Sequence, residues 1–234
     1  MKKIKIIIQG FGIVGASTAI NIVSTNNFNN IFHVHCIDKT NQAGIIKINN
    51  AKKGIFPIST SDKLLNIYLK KALQKNKISF GWNQREYKNA DIIIISINCD
   101  LYNRNKIKIK KFKQSVISVL NNISENTLLM VESTVPPGTC EKIIYPELKK
   151  ISKKKDMDLK KIYLAHSFER VTPGQDYLKS CRNSYRVYAG INKISENKCK
   201  KFLTKIINVK KYPLTKLMNI TSSETCKLME NSYR

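Results

Sequence analysis

Gln9-Gly10-Phe11-Gly12-Ile13-Val14-Gly15 is the stretch whose residue types and spacing point most directly to chemistry. It follows the apolar run Ile4 to Ile8 and precedes Ala16 to Thr25, a segment of helical character. Strand, glycine-rich turn and helix, in that order, form the setting in which G-x-G-x-x-G binds a dinucleotide. Gly10 permits a tight turn, Gly12 lets the backbone approach a pyrophosphate, and Gly15 lets the helix pack close to the strand. Gly10, Gly12, Ile13, Val14 and Gly15 are therefore the expected cofactor-binding positions of the turn. The pyrophosphate is expected at the helix N-terminus, where N–H groups are free and the dipole favours an anion. Asp38 closes the strand-like run His33 to Ile37. It lies about 20 residues beyond the glycines, where a carboxylate meets the ribose hydroxyls of NAD. A carboxylate there also repels the 2′-phosphate of NADP. The competing reading is an ordinary exposed carboxylate at a strand end, and the glycines upstream weigh against it.

Further along, Leu128 to Glu132 reads as a strand that ends in Ser133-Thr134-Val135-Pro136-Pro137-Gly138-Thr139. Two prolines and a glycine make this a rigid turn, and Ser133 and Thr134 give it two hydroxyls. Another strand, Ile162 to Ala165, runs into His166 to Gly174. Near the C-terminus, Thr221-Ser222-Ser223-Glu224 has the form of a capping box. The helix it opens carries Lys227 and Asn231, which share one face. Taken alone, those two residues read as a solvated helix face.

The elements that must position these residues alternate along the chain. Ile45 to Ile58 is irregular, with turn residues at Gly54 and Pro57. Ser61 to Lys75 reads as an amphipathic helix with Leu64, Leu65, Tyr68, Leu69, Ala72 and Leu73 on one side. Ile78 to Trp82 is a short strand, and Ile92 to Ile95 is an apolar run typical of a central parallel strand. Its carboxyl edge, Ser96 to Asp100, is expected to face the ligand crevice. Lys110 to Ile123 is a helix with Phe112, Val116, Val119 and Leu120 inward, and Thr139 to Lys150 is the next. A short strand at Arg186 to Ala189 and a helix from Ser195 to about Ile207 follow. The alternation predicts an α/β fold, a Rossmann-like, doubly wound, mostly parallel sheet with helices on both faces. The expected division is a domain over 1–220 and the start of a long helix over 221–234.

The 234 residues suffice for a full core, and 42% hydrophobic content is that of a globular chain. No apolar run is long enough for a membrane span, and the N-terminus lacks the form of a signal peptide, so a cytoplasmic protein with no membrane partner is expected. The six cysteines are scattered without C-x-x-C pairs, which supports neither a disulfide framework nor a zinc site. His33, His35 and His166 read as core or surface histidines, and no metal is expected. The net charge of +26 invites a nucleic-acid reading. The lysines are nevertheless spread along the chain, with Lys, Asn and Ile inflated together, and no aromatics interleave with them as a stacking surface needs. No specific nucleic-acid partner is expected, although the charge attracts anionic ligands.

Separated segments then converge. Gly10 to Gly15, ESTVPPGT at Glu132 to Thr139, SFERVTPG at Ser167 to Gly174 and SETCKLMENSYR at Ser223 to Arg234 together resemble the UDP-glucose/GDP-mannose 6-dehydrogenase family. The closest branch by resemblance acts on UDP-N-acetylhexosamines such as UDP-N-acetyl-mannosamine. The resemblance implies two-step oxidation of a sugar C6 alcohol to a carboxylate with NAD as cofactor, through thiohemiacetal and thioester intermediates on a cysteine. It implies that Ser133 and Thr134 lie at the cofactor, Thr134 near the nicotinamide and a catalytic water. Glu169 is the implied acid/base of thioester hydrolysis. Lys227 and Asn231 are the implied hydrogen-bond donors to the C6 oxygen, a sensible oxyanion arrangement. Arg170 is an implied substrate contact. The resemblance places the family's nucleophilic cysteine in a downstream substrate domain and its homodimer contact on the long central helix that begins at 221, so this chain is expected to be the cofactor-binding half and inactive alone. Two departures stand out: Phe168 where the family often has Pro, and Ile97-Asn98-Cys99-Asp100 where it commonly has Val-Pro-Thr-Pro. The alternative reading is a non-catalytic NAD- or nucleotide-binding remnant or regulatory module.

Overall fold

The computed structural model describes residues 3–99, 101–102, 106–107, 109–171, 174 and 176–233. Asp100, Thr172, Pro173 and Arg234, which belong to expected motifs, lie outside the described residues.

The strands are β1 (Ile4–Gln9), β2 (Phe32–Ile37), β3 (Ile78–Gly81), β4 (Ile92–Ile95), β5 (Leu101–Tyr102), β6 (Lys106–Ile107), β7 (Leu128–Val131), β8 (Tyr163–His166), β9 (Arg186–Gly190) and β10 (Leu214–Lys216). The helices are α1 (Ile13–Ser24), α2 (Gln42–Lys52), α3 (Lys63–Gln74), α4 (Ile109–Leu120), α5 (Tyr145–Lys154), α6 (Tyr177–Arg182), α7 (Lys193–Ile206) and α8 (Ile220–Ser232). Eight strands form one sheet in the order β10-β9-β8-β7-β4-β1-β2-β3. All its pairings are parallel except β8 with β9, where Ala165 faces Gly190. Strand order reverses between β1 and β4, which makes their carboxyl ends the crevice of the fold.

Burial on both faces explains the continuous apolar strands. In β1, Ile6 and Ile8 enter one core and Ile7 the other; in β4, Ile92 and Ile94 separate from Ile93 and Ile95 in the same way. Residues of α1, α2, α3, α6 and α7 cover the first face, and residues of α4, α5 and α8 the second. The doubly wound, mostly parallel α/β fold is therefore as expected.

Several local features differ from the sequence reading. The irregular segment is helix α2, capped by the Asn41 side chain, which accepts the Gly44 N–H at 3.0 Å. Its buried residues are only Gly44, Ile48 and Ala51, too thin a stripe to stand out among lysines and asparagines. In α3 the inward residues are Leu65, Leu69 and Ala72, while Leu64 is 47% exposed. The helix expected from Thr139 begins with a π-turn, Cys140–Ile144, before α5. Helix α6 and strand β10 carry no clear period and were not anticipated. The cap of α8 is Asn219, whose side chain accepts the Ser222 N–H at 2.8 Å, rather than Thr221. Asparagine is as good a cap as threonine, and the free first-turn amides went to the earlier residue.

Candidate active site

The glycine turn has the geometry its spacing predicts. Gly10 has φ +99°, and a Cβ there would lie 2.6 Å from the Ser96 carbonyl oxygen. A Cβ on Gly15 would lie 1.9 Å from the Gly10 carbonyl oxygen. Gly12 is different: a Cβ would meet nothing within 4 Å. It caps α1 with no side-chain hydrogen bond and no acidic residue follows in the first turn. Ile13 is 49% exposed beside it, and Val14 is half-buried. The result is an uncapped helix N-terminus opening on free space, the fit an anionic pyrophosphate requires.

Asp38 is drawn to this turn. The Phe11 N–H donates to its Oδ2 at 3.3 Å, the Lys39 N–H to its Oδ1 at 2.7 Å, and Lys47 Nζ lies 3.7 Å from Oδ2. The Gly10 N–H donates to the Ile37 carbonyl at 2.8 Å, so the end of β2 and the turn are one unit.

The next two loops leave neighbouring strand ends. Ser133 Oγ donates to the carbonyls of Ile97 (2.6 Å) and Ile95 (3.2 Å), so its hydroxyl clamps its own turn to the end of β4. Thr134 is half-buried beside it. Ser96, at the same edge, contacts Gly10 and so brings the β4 end against the glycine turn. After β8, Glu169 is only 3% exposed. Its carboxylate accepts the Val171 N–H on Oε2, while Oε1 is buried. Burial pushes the Glu169 carboxyl up, opposed by Arg186, by the Val171 N–H, by a hydrogen bond with the Cys181 thiol and by Lys227. Lys227 Nζ donates to the Glu169 carbonyl at 3.2 Å and lies 5.0 Å from the Phe168 ring centroid. Phe168 is 2% exposed, filling the place where the family often has a proline. Arg170 is engaged in an ion pair with Glu230 of α8. Asn231 is exposed, one turn beyond Lys227.

Four further residues organise the site without having been singled out from the sequence. Glu132 and Arg186 form an ion pair at 3.0 Å with side chains 0% and 1% exposed. Thr18 of α1 and Ser96 donate their hydroxyls to Glu132 Oε2 at 3.0 and 3.1 Å. Burial pushes the Glu132 carboxyl up to about 7, with the guanidinium and both hydroxyls acting the other way. Glu224 of α8, 0% exposed, accepts the backbone N–H groups of Gly138 and Cys140 at 2.5 and 2.8 Å. His166, also 0% exposed, places Nδ1 2.7 Å from Ser223 Oγ, and burial lowers the imidazole to about 4. In the sequence, Glu132 and Arg186 stand beside apolar runs, Glu224 reads as part of a capping box and His166 as an ordinary histidine.

This sheet, with an open-cradled glycine turn and a carboxylate at the end of its second strand, defines a dinucleotide-binding Rossmann domain. Residues 4–208 match the family model described as the UDP-glucose/GDP-mannose dehydrogenase family, NAD binding domain. The chain belongs to this family and carries its NAD-binding domain. It is 30% identical over 233 residues to the UDP-N-acetyl-D-mannosamine dehydrogenase of Methanococcus vannielii, covering 98% of this chain and 48% of that protein. It is 31% identical over 113 residues to the UDP-glucose 6-dehydrogenase of Rickettsia conorii, covering 48% and 25%. The crystal structure of an NDP-N-acetyl-D-galactosaminuronic acid dehydrogenase from Methanosarcina mazei has the same fold, with a TM-score of 0.87 at 22% identity over 100% of this chain and 48% of that one. The chain thus spans about half the length of the relatives it matches along its whole length. Among the described residues, no helix is long and apolar enough to cross a membrane.

Proposed function

We propose that this chain is the cofactor-binding half of a cytoplasmic NAD-dependent nucleotide-sugar 6-dehydrogenase. The reaction is oxidation of the C6 hydroxyl of a UDP-sugar, of the UDP-N-acetylhexosamine or UDP-glucose type, to the uronate used in polysaccharide precursor synthesis. Family membership and the names of the relatives support the class. The observation that carries the reading is the linking of three loops at neighbouring strand ends, after β1, β7 and β8: Ser96 lies against Gly10, Ser133 bonds the Ile97 carbonyl, and Arg186 joins Glu132 to the Phe168 carbonyl.

Bound NAD supplies the hydride acceptor for C6. The chain's own residues bind and orient. The α1 N-terminus at Gly12, Ile13 and Val14 takes the pyrophosphate, and Asp38 accepts the ribose hydroxyls. Ser133 stiffens the turn that presents Thr134 to the nicotinamide end. Glu169, its carboxyl raised by burial, acts as acid/base towards the water that releases the acid from the thioester. The Lys227 ammonium and the Asn231 amide stabilise negative charge on the C6 oxygen, and Arg170 contacts the substrate from its pair with Glu230.

The covalent step needs a thiolate. Cys36, Cys140, Cys181 and Cys199 are buried, and burial pushes each thiol up, Cys199 to about 12. The Cys226 thiol is also raised, by burial and by Glu230. These raised thiols are poor nucleophiles, and the resemblance to the family places the reacting cysteine in a second, substrate-binding domain. Within it, residues 1–220 form the NAD domain, 221–234 begin a connecting helix, and the complete enzyme is a homodimer.

Titration calorimetry with NAD, UDP-N-acetylmannosamine and UDP-glucose tests this reading, with NADH absorbance followed in parallel. NAD is expected to bind the chain alone. Four-electron turnover is expected only when a cysteine-bearing second half is supplied. A folded chain that does not bind NAD defeats the proposal, and turnover by these residues alone defeats the assignment of the cysteine.

A further inference from the structure

Two buried carboxyls share the interior beneath the site with one buried guanidinium. Glu132 is 2% exposed, Glu169 3% and Arg186 1%. Arg186 directs its fork at Glu132, with Nη2 at 3.0 Å and Nη1 at 3.4 Å from Oε1. Nη1 also donates to the Phe168 carbonyl at 3.3 Å, one residue before Glu169. A guanidinium has no acceptor, so Glu132 Oε1 can only accept. The Thr18 and Ser96 hydroxyls complete the set on Oε2. This shell favours the ionised form of Glu132, working against the burial and the Glu169 charge that push its carboxyl up. Among the described residues Glu169 has the weaker shell: a backbone N–H from Val171 on Oε2 and a hydrogen bond with the neutral Cys181 thiol, with no guanidinium fork directed at it.

The groups facing Glu169 come from several elements: Arg186 from β9, Glu132 from the end of β7, Lys227 from α8, and Cys181 and Tyr177 from α6. Lys227 donates to the Glu169 backbone carbonyl. The Cys181 thiol, itself raised by burial, brings no charge but hydrogen-bonds the Glu169 carboxyl.

We propose that Glu132 is a positioning residue for Glu169: by holding Arg186 it leaves Glu169 as the carboxyl that carries the proton, and it ties the Phe168 carbonyl through Arg186 to the cofactor helix. The assignment rests on the reading of Glu169 as the acid/base group. Two adjacent buried carboxylates with one cation between them cannot both be stabilised, and the one with the weaker donor shell takes the proton. With Glu132 uncharged, Arg186 is free to stabilise the Glu169 carboxylate, and the proton is lost at lower pH.

The test is a ¹³C NMR titration of the chain labelled at the glutamate carboxyl carbon, with Glu169→Gln identifying the Glu169 signal. In the native sequence this carboxyl is expected to stay protonated towards neutral pH. In Glu132→Gln its inflection is expected to fall by about one pH unit or more. Glu132→Asp, which keeps the carboxylate, is expected to restore most of the shift. An unmoved inflection in folded Glu132→Gln overturns the proposal. So does a native Glu169 signal that is ionised across pH 5–8, which decides the matter even where the variant does not fold. Calorimetry with NAD on the same samples separates the two readings: loss of NAD binding refutes the dehydrogenase assignment and leaves the carboxyl result standing.

Discussion

Replacing Arg186 by Met tests how far the buried ion pair supports the domain. The change keeps a chain of similar length in a site that is 1% exposed and removes the charge. Glu132 then faces two hydroxyls and no cation, and the Phe168 carbonyl loses a donor. Breaking a buried pair from one side costs about 3–5 kcal/mol, a large part of the roughly 5–15 kcal/mol that holds a domain together. The cost depends on pH in a definite sense. Without Arg186 the folded-state carboxyl rises further above its ordinary value of 4.5, so the folded protein binds a proton more readily than the unfolded chain. The pH-dependent part of the loss relative to the native protein is therefore small below about 7, where Glu132 is protonated in both folded proteins, and it grows as pH rises above that value. Urea unfolding followed by circular dichroism at pH 5 and pH 8 measures it. Arg186→Met is expected to lose more stability at pH 8 than at pH 5. The double change Arg186→Met, Glu132→Gln is expected to recover a substantial share at pH 8. A loss below about 1 kcal/mol, or one equal at both pH values, refutes a charge-based account of the pair.

Two other predictions follow from positions of special environment. Gly12→Ala is expected to leave the unfolding midpoint unchanged, because its Cβ points into open space, yet to weaken NAD binding in calorimetry by filling the pyrophosphate cradle; Gly15→Ala, with its Cβ 1.9 Å from a carbonyl oxygen, is expected to unfold the turn itself. Equal effects of the two changes on stability would argue against the cradle. His166, held neutral down to about 4 against an ordinary 6.5, contributes stability that is fully present above pH 6.5 and is lost as pH falls towards 4, by up to about 3 kcal/mol. Urea midpoints from pH 7.5 to 4.5 should show this slope, and the same slope in His166→Asn would remove His166 as its cause.

The sheet was legible because its strands are buried on both faces and so appear as unbroken isoleucine and leucine runs. The glycine turn was legible because only glycine satisfies the backbone at Gly10 and the contact at Gly15. Helix α2 was hidden because three small or medium apolar residues carry its packing. Glu132, Arg186, Glu224 and His166 were hidden for another reason. Each pairs with a residue far away in sequence, and Glu132 meets Thr18 across 114 positions, so no local pattern records it. Arg170 and Ser133 were singled out for ligands, but each has a partner within the fold: Arg170 an ion pair, Ser133 two backbone carbonyls.

Helix α8 reaches back to loops made much earlier. Thr221 bonds Glu141, Ser223 bonds His166, Glu224 holds the Gly138 and Cys140 amides, Lys227 meets the Glu169 carbonyl and Glu230 pairs with Arg170. The Glu224–Gly138 contact alone closes a span of 86 residues. Such closures come late, because their entropy is lost before the contacts compensate it. On the ribosome, the sheet and the glycine turn can form while the Pro136–Pro137 turn and the Glu169 loop still wait for residues 221–230. In the order of folding, the cofactor cradle therefore precedes the chemistry placed beside it.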